Sequence, residues 1–402
     1  MFYKIILAGS LVAILPCQVF AGSERLQLLE LIRDSDKTAY LSGWVQGDAA
    51  SYNNIPTDLM DDGTELRRGI LNLQANIYNN IGYKLQFDLA NAGRSGVKDI
   101  YLAYSMSDTL NFRLGNTRDP FMLQDQTSSR NTLFTERALP EAFTAGRHIG
   151  LVADYYKQDW TVSAGLLGPA VNTTEDTERD RDWGASIRAT FSAVNKRNKL
   201  VHLGFSANYR DTRTLKSIKY NQQPETHIAK VNFVDTGKIE QSQNTQKLGM
   251  EIASINGPWS LQAEYIMNYV TRSSNSLNFN GWYAHAGYFF TGESQAFEQG
   301  LFTAVTPNTS VENGGIGAWQ LGLRLSGIDL TDRDIHGGEM NNLTIGLNWY
   351  PTNDIRVSAN YINVLKVDGG PQDGIEPDIF QIRFQWEFDR PLRNIVDKVS
   401  EY

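Results

Sequence analysis

From Thr38 to Phe388 the chain falls into segments in which apolar and polar residues take turns. Lys84, Gln86 and Asp88 separate Tyr83, Leu85, Phe87 and Leu89; Ser260, Gln262, Glu264 and Asn268 are interleaved with Trp259, Leu261, Ala263, Tyr265, Met267 and Tyr269. A period of two belongs to β-strands, whose successive side chains point to opposite faces. The pattern predicts strands near 38–50, 65–77, 83–90, 97–105, 110–115, 148–156, 160–167, 183–191, 200–209, 247–256, 258–271, 279–291, 317–325, 339–350, 355–364 and 379–388, sixteen in all.

Alternation alone suits a soluble sandwich, whose apolar face packs inward, as well as a transmembrane barrel, whose apolar face meets lipid while the polar face lines water. Three features select the barrel. Many segments reach the ~9–11 residues that a tilted strand needs to cross a bilayer, against about 5–6 in soluble strands. Aromatic residues recur at the ends of the apolar face, as in Trp259, Tyr269, Trp282, Tyr288, Trp349 and Phe388, where rings meet the membrane interface. If the N-terminus is periplasmic, the external connections include the long polar ones at 116–147, 168–182 and 210–246, and most internal ones are brief. The predicted fold is all-β: a 16-stranded antiparallel transmembrane β-barrel over 38–388 with a short N-terminal helix.

The chain ends read differently. Lys4, the apolar stretch from Ile5 to Leu15 and Val19-Phe20-Ala21 predict a signal peptide over 1–21, hence export. Leu26, Leu28, Leu29, Leu31 and Ile32 predict a short periplasmic helical segment within 22–37. Beyond Trp386-Glu387-Phe388, residues 389–402 carry Leu392, Ile395, Val396 and Val399 at helical spacing after Pro391, a periplasmic C-terminal extension.

Composition narrows the function. The 402 residues carry 45 Asp plus Glu against 37 Lys plus Arg, a formal charge of -8, which argues against nucleic acid as a partner. The mean hydropathy of -0.37 argues against a polytopic helical membrane protein. Cys17, in the predicted leader, is the sole cysteine, which excludes a disulfide framework and a multi-cysteine metal centre. No GxSxG, HExxH or phosphate-binding glycine loop is present, so no catalytic residue and no cofactor are predicted. Loop 168–182 is acidic, with Glu175, Asp176, Glu178, Asp180 and Asp182, yet it lacks the glycine-containing spacing of a calcium loop and predicts no metal site.

What remains is a charged lumen. Parity turns Arg68, Lys84, Lys98, Arg113, Arg188, Arg324, Arg356 and Arg383 inward, where a guanidinium can offer an anion two hydrogen bonds. They can equally pair with the inward acids Asp88, Asp154, Glu251 and Glu264. Loop 116–147 is long enough to fold into the lumen and balances Arg118, Arg130, Arg137 and Arg147 against Asp119, Asp125, Glu136 and Glu141. Loop 210–246 gathers Arg210, Arg213, Lys216 and Lys219 in its first ten residues, either an anion-attracting vestibule or a solvated loop.

Taken in order, Leu66-Arg67-Arg68-Gly69, Thr127-Ser128-Ser129, Val201-His202-Leu203-Gly204, Gln262-Ala263-Glu264-Tyr265, Thr291-Gly292-Glu293, Ile316-Gly317-Ala318-Trp319, Asn348-Trp349-Tyr350 and Val357-Ser358-Ala359-Asn360-Tyr361 resemble the trimeric phosphate-selective porins of Gram-negative outer membranes, the O and P porin family. The resemblance runs from about Tyr40 to Phe388. It implies sixteen strands, a homotrimer set in outer-membrane lipid, and passive diffusion of small anions such as phosphate through a constriction lined by Arg and Lys. Arg67 and Arg68 match two constriction arginines of the family. Two positions depart from it: Trp44 stands where the first strand has an arginine, and Asp125 where the third external loop has a pocket lysine. The connection at 292–316, lysine-bearing in the family, here has Glu293, Glu298 and Glu312 and no lysine. The expectation is an anion-preferring porin, with a weakly selective diffusion porin as the alternative and a barrel enzyme or adhesin behind both.

Overall fold

The computed structural model describes residues 33–34, 37–56, 58–90, 96–171, 182–215 and 217–388. Sixteen strands carry the wall: β1 (Lys37–Asn53), β2 (Gly63–Tyr78), β3 (Ile81–Asp88), β4 (Val97–Ser105), β5 (Leu110–Arg118), β6 (Arg147–Lys157), β7 (Trp160–Leu167), β8 (Gly184–Lys196), β9 (Lys199–Asp211), β10 (Ser242–Asn256), β11 (Trp259–Arg272), β12 (Ser276–Phe289), β13 (Ala318–Asp332), β14 (Ile335–Tyr350), β15 (Ile355–Asp368) and β16 (Asp378–Phe388). Each pairs antiparallel with the next, and β1 pairs with β16 from Gly43 opposite Phe388 to Asn53 opposite Asp378. Closure leaves no open edge, the condition for a sheet to span lipid.

The sixteen predicted segments all correspond to strands, and several strands are longer: β1 has 17 residues and β14 has 16. Their outer face is apolar, with Leu203, Phe205, Leu323, Leu325, Phe384 and Trp386 all exposed. Ring pairs mark the periplasmic rim. Trp160 packs on Phe191, Trp259 on Tyr288 and Trp319 on Trp349, with centroids 4.5, 4.4 and 5.6 Å apart.

The signal peptide, most of the 22–37 segment and the 389–402 extension lie outside the described residues. Arg33 and Asp34, within the expected helical segment, are extended and pair with Thr38 and Lys37. There the start of β1 supplies the backbone partners that a helical turn would have provided.

The interior departs from an open polar tube. The external connection 119–146 folds into the lumen, carrying the short helix α1 (Leu123–Gln126) and a 3-10 turn at Leu139–Phe143. Above it, Tyr220, Phe233, Val234 and Ile239 of the connection 212–241 join Phe143 in an apolar cluster. Ile266, Val270, Leu277, Phe279, Ile328, Leu330, Ile362, Val364 and Ile379, from the external ends of five of the strands β11–β16, complete it. Burying each large side chain is worth roughly 1.5–3 kcal/mol, so this corner of the barrel is a protein core. From the periplasmic side the connection 290–317 enters too, where Phe302 packs with Leu123, Leu200, Ala253 and Ile255.

The landing place of loop 119–146 is written in three glycines. Gly287, Gly322 and Gly346 lie abreast on β12, β13 and β14, and a Cβ on any of them would press on the loop: 3.3 Å from Leu133 at Gly287, 3.0 Å from Phe134 at Gly322 and 3.1 Å from Phe134 at Gly346. A wall without side chains at these points lets Leu133 and Phe134 reach the sheet.

Candidate functional site

Two register shifts in the wall decide which charges reach the lumen. Along β1 and β2, Gln46 pairs with Arg68 but Gly47 pairs with Leu66, so Arg67 is an extra residue. Such a bulge breaks the alternation and re-aims side chains. Leu66 is 57% exposed on the outer wall, while Arg67 and Arg68 both turn inward and line the same cavity. Strict parity had admitted Arg68 alone. A second shift, between Leu85 and Phe87 against β4, brings Lys98 and Asp99 to the lumen together.

Glu136 of loop 119–146 is the hub of the first group. Arg67 grips it through two bonds of 2.8 and 3.0 Å, Arg383 reaches it at 2.6 Å and Arg68 stands 3.7 Å away. Burial by itself would raise the Glu136 carboxyl, but Arg67, Arg68 and Arg383 hold it well below the usual carboxylate range. Among the described residues Arg68 gives one hydrogen bond, to the neutral Gln46 at 2.9 Å. Its charge is therefore only partly answered.

The cavity is an off-centre chamber of about 670 Å³ bounded by β1–β8, loop 119–146 and, through Gln299 and Leu301, the connection 290–317. Its wall carries nine cationic side chains (Arg67, Arg68, Lys84, Lys98, Arg113, Arg118, Arg137, Arg147, Arg188) against five carboxylates (Asp88, Asp99, Asp125, Glu141, Asp154). Several are matched in pairs. Arg113 holds Asp154 at 2.7 and 3.0 Å, Arg188 holds Glu251 at 2.9 and 2.6 Å, and Lys84 and Arg147 share Asp99 at 2.9 and 2.7 Å. Pairing with Asp154 and Glu251 is what parity allowed. Glu264 does something else: it accepts the backbone N–H groups of Leu123 and Gln124, each at 2.7 Å, and so pins the start of α1.

The other predicted site residues lie away from the chamber. Arg324 donates to Glu225 at 2.5 Å and to the Glu136 carbonyl oxygen at 2.9 Å. Arg356 donates to the carbonyl oxygens of Thr132 and Leu133 at 2.7 and 2.9 Å. Arg383 holds Asp48 at 2.7 and 2.6 Å. All three are buried beneath the loop. Arg130 lies over the Trp44 ring, 5.2 Å from its centroid, and donates to Glu387 at 3.1 Å; a guanidinium thus stands beside β1 although the strand itself carries an indole. Arg210 donates to the Gly168 carbonyl oxygen. Arg213 is 70% exposed and pairs with Asp211 two residues away. Lys219 pairs with Asp235 at 2.7 Å, so Arg210, Arg213 and Lys219 all have partners within the protein.

Arg147 stands at the start of β6, while Glu136, Arg137 and Glu141 belong to the site only because loop 119–146 folds inward. Their signal in the sequence was loop length together with the glycine triplet. The described residues contain no group of three or more acidic, His or Cys side chains arranged to hold a metal ion.

Residues 40–388 match the family described as phosphate-selective porin O and P, and the chain belongs to that family. It is 23% identical to Porin O of Pseudomonas aeruginosa over 95% of this chain and 98% of that protein. It is 28% identical to an uncharacterized protein of Caulobacter vibrioides over 81% of this chain and 68% of that one. Among solved structures, the barrel is similar to OmpT of Vibrio cholerae, with a TM-score of 0.57 at 12% identity over 89% of this chain and 99% of that one. The anion-selective porin of Comamonas acidovorans matches with a TM-score of 0.53 at 11% identity, over 88% of this chain and 100% of that one. These two likenesses are of fold. The protein is a porin of the bacterial outer membrane.

Proposed function

We propose that the porin passes small hydrophilic solutes passively, as a homotrimer, with a preference for anions such as phosphate. The observation that carries this reading is the charge of the chamber: its wall has nine cations against five carboxylates, and a cationic excess of two remains when Glu136 and Glu251, which pair with Arg67 and Arg188, are counted as well, in a chain whose formal charge is -8. A narrow aqueous space between low-dielectric walls focuses such an excess, so the local sign and not the total sets which ions enter. Arg67 and Arg68 are the residues we assign to the anion-favouring field, with Lys98 and Arg118 beside them. Trimeric assembly rests on the family and on the trimer form in which OmpT of Vibrio cholerae has been solved. The wall of paired charges is read as serving diffusion and not catalysis, and no cofactor enters the reading.

Asp125 and Glu141 on the same wall favour the second reading, a weakly selective channel. Single-channel recordings in a KCl gradient separate the two. The expected result is a reversal potential on the chloride side and a chloride current that falls as phosphate is added. A reversal potential on the potassium side overturns the anion reading.

A further inference from the structure

Loop 119–146 brings two carboxylates to the chamber, and among the described residues each keeps at least one oxygen without a hydrogen-bond partner. Asp125 is 5% exposed; its Oδ1 stands 4.0 Å from both Arg118 Nε and Arg137 Nη1, and its Oδ2 has no donor. Glu141 accepts from Arg137 at 3.0 Å through Oε1, and its Oε2 has no donor. Arg137 does not relieve them, because its other bonds go to the carbonyl oxygens of Gln124, Asp125 and Thr127. Buried carboxylate oxygens left in this state call for donors from elsewhere.

The same wall also has donors to spare. A guanidinium has five N–H groups; among the described residues Arg68 makes one hydrogen bond, to Gln46, and Arg118 makes one, to the Asp125 carbonyl oxygen. The chamber thus offers cationic donors and orphaned acceptors side by side. An acceptor-only anion answers the first and is repelled by the second. A metal cation meets Arg118 and Arg137 within 4.0 Å of Asp125.

We propose that the chamber binds a hydroxyl-bearing organic phosphate, a small polyol phosphate. Its phosphate oxygens take the donors of Arg68 and Arg118, and its hydroxyl groups donate to Asp125 and Glu141. Anionic and hydroxyl groups together satisfy both sets, which a bare oxyanion does not. The volume of about 670 Å³ falls in the range of roughly 300–1,000 Å³ that small-molecule sites occupy. The proposal rests on the anion-channel reading and names the solute class for it.

The test measures block of the chloride current through the full-length porin in planar bilayers by glycerol 3-phosphate and by propyl phosphate, which carries the same phosphate without the hydroxyls. Hydrogen bonds to charged groups are strong enough that glycerol 3-phosphate should reach half-block at about a tenfold lower concentration. D125N should shrink that difference to about twofold, and E141Q should shrink it in the same direction, so the test stands if one variant fails to assemble. Equal half-block by the two phosphates in the unsubstituted porin overturns the proposal, as does a substitution that shifts both by the same factor. A reversal potential on the potassium side in KCl alone overturns the underlying channel reading, and it is seen before any phosphate is added.

Discussion

On β13, β15 and β16, Arg324, Arg356 and Arg383 face inward and end on carbonyl oxygens of loop 119–146 and on the carboxylates of Glu225, Asp48 and Glu136. On β2 and β5, Arg68, Arg113 and Arg118 face inward on the opposite side and border the chamber. The residue type is the same in both halves; what differs is whether loop 119–146 buries the guanidinium. Where it does, the guanidinium is a rivet that satisfies backbone acceptors in a buried place. Where it does not, part of its charge is left for solute. On the proposed reading, an inward arginine serves the solute only on the uncovered half.

The covered half should break first and hardest. Arg383→Ala leaves Asp48 buried without its charged partner, with only the Gln381 amide still donating to it, and removes one grip on Glu136; breaking a buried pair costs about 3–5 kcal/mol. The barrel is expected to lose its cooperative melt at a markedly lower temperature by circular dichroism, and the single-channel current to become noisier as the loop loosens. Gly322→Val acts on the same half by bulk. A Cβ there already meets Phe134 at 3.0 Å and Leu133 at 3.1 Å, and overpacking costs about 1–3 kcal/mol, so the loop should lift and the conductance rise. Unchanged conductance in both variants would mean that the loop is held in place by something other than this wall.

Sequence made the wall legible and left its division hidden. The period of two located all sixteen strands because lipid outside and polar groups inside impose it on every residue. It failed at Arg67, where one extra residue in β2 reverses the facing of Glu65 and Leu66, and such a bulge has no signature in hydropathy. It also treated every inward position as wet. Ile266, Val270, Ile328, Leu330, Ile362 and Val364 are inward yet apolar, and that excess at the external ends of the strands was the trace of a loop packed inside. The glycine triplet was a second trace, visible only once the register sets Gly287, Gly322 and Gly346 abreast.

On the uncovered half the effects should be electrostatic and smaller. Asp125→Lys changes the local charge by two units. At ~6 Å in a water-like medium each unit is worth about 0.7 kcal/mol, so inorganic phosphate should block chloride current at about a tenfold lower concentration. Tight phosphate block in the unsubstituted porin would show that Asp125 does not weaken it. Arg68→Ala removes one unit and should lower the anion-to-cation permeability ratio about threefold by the same arithmetic, read from the reversal potential. Arg67→Ala is the less clean variant because it also frees the Glu136 carboxylate that Arg67 grips.

The smallest effect is the sharpest control on the comparison. Arg213 is a cation that belongs to neither half: it is 70% exposed near the external end of β9 and its partner is Asp211, two residues away. An exposed pair is screened by salt and contributes little. If the selectivity comes from charges bordering the chamber, Arg213→Ala should leave the reversal potential, the phosphate block and the melting temperature where they were, although it removes the same unit charge as Arg68→Ala. If instead the two variants shift the reversal potential equally, the field that sorts ions is the summed charge of the protein. The distinction between covered and uncovered arginines would then say nothing about permeation.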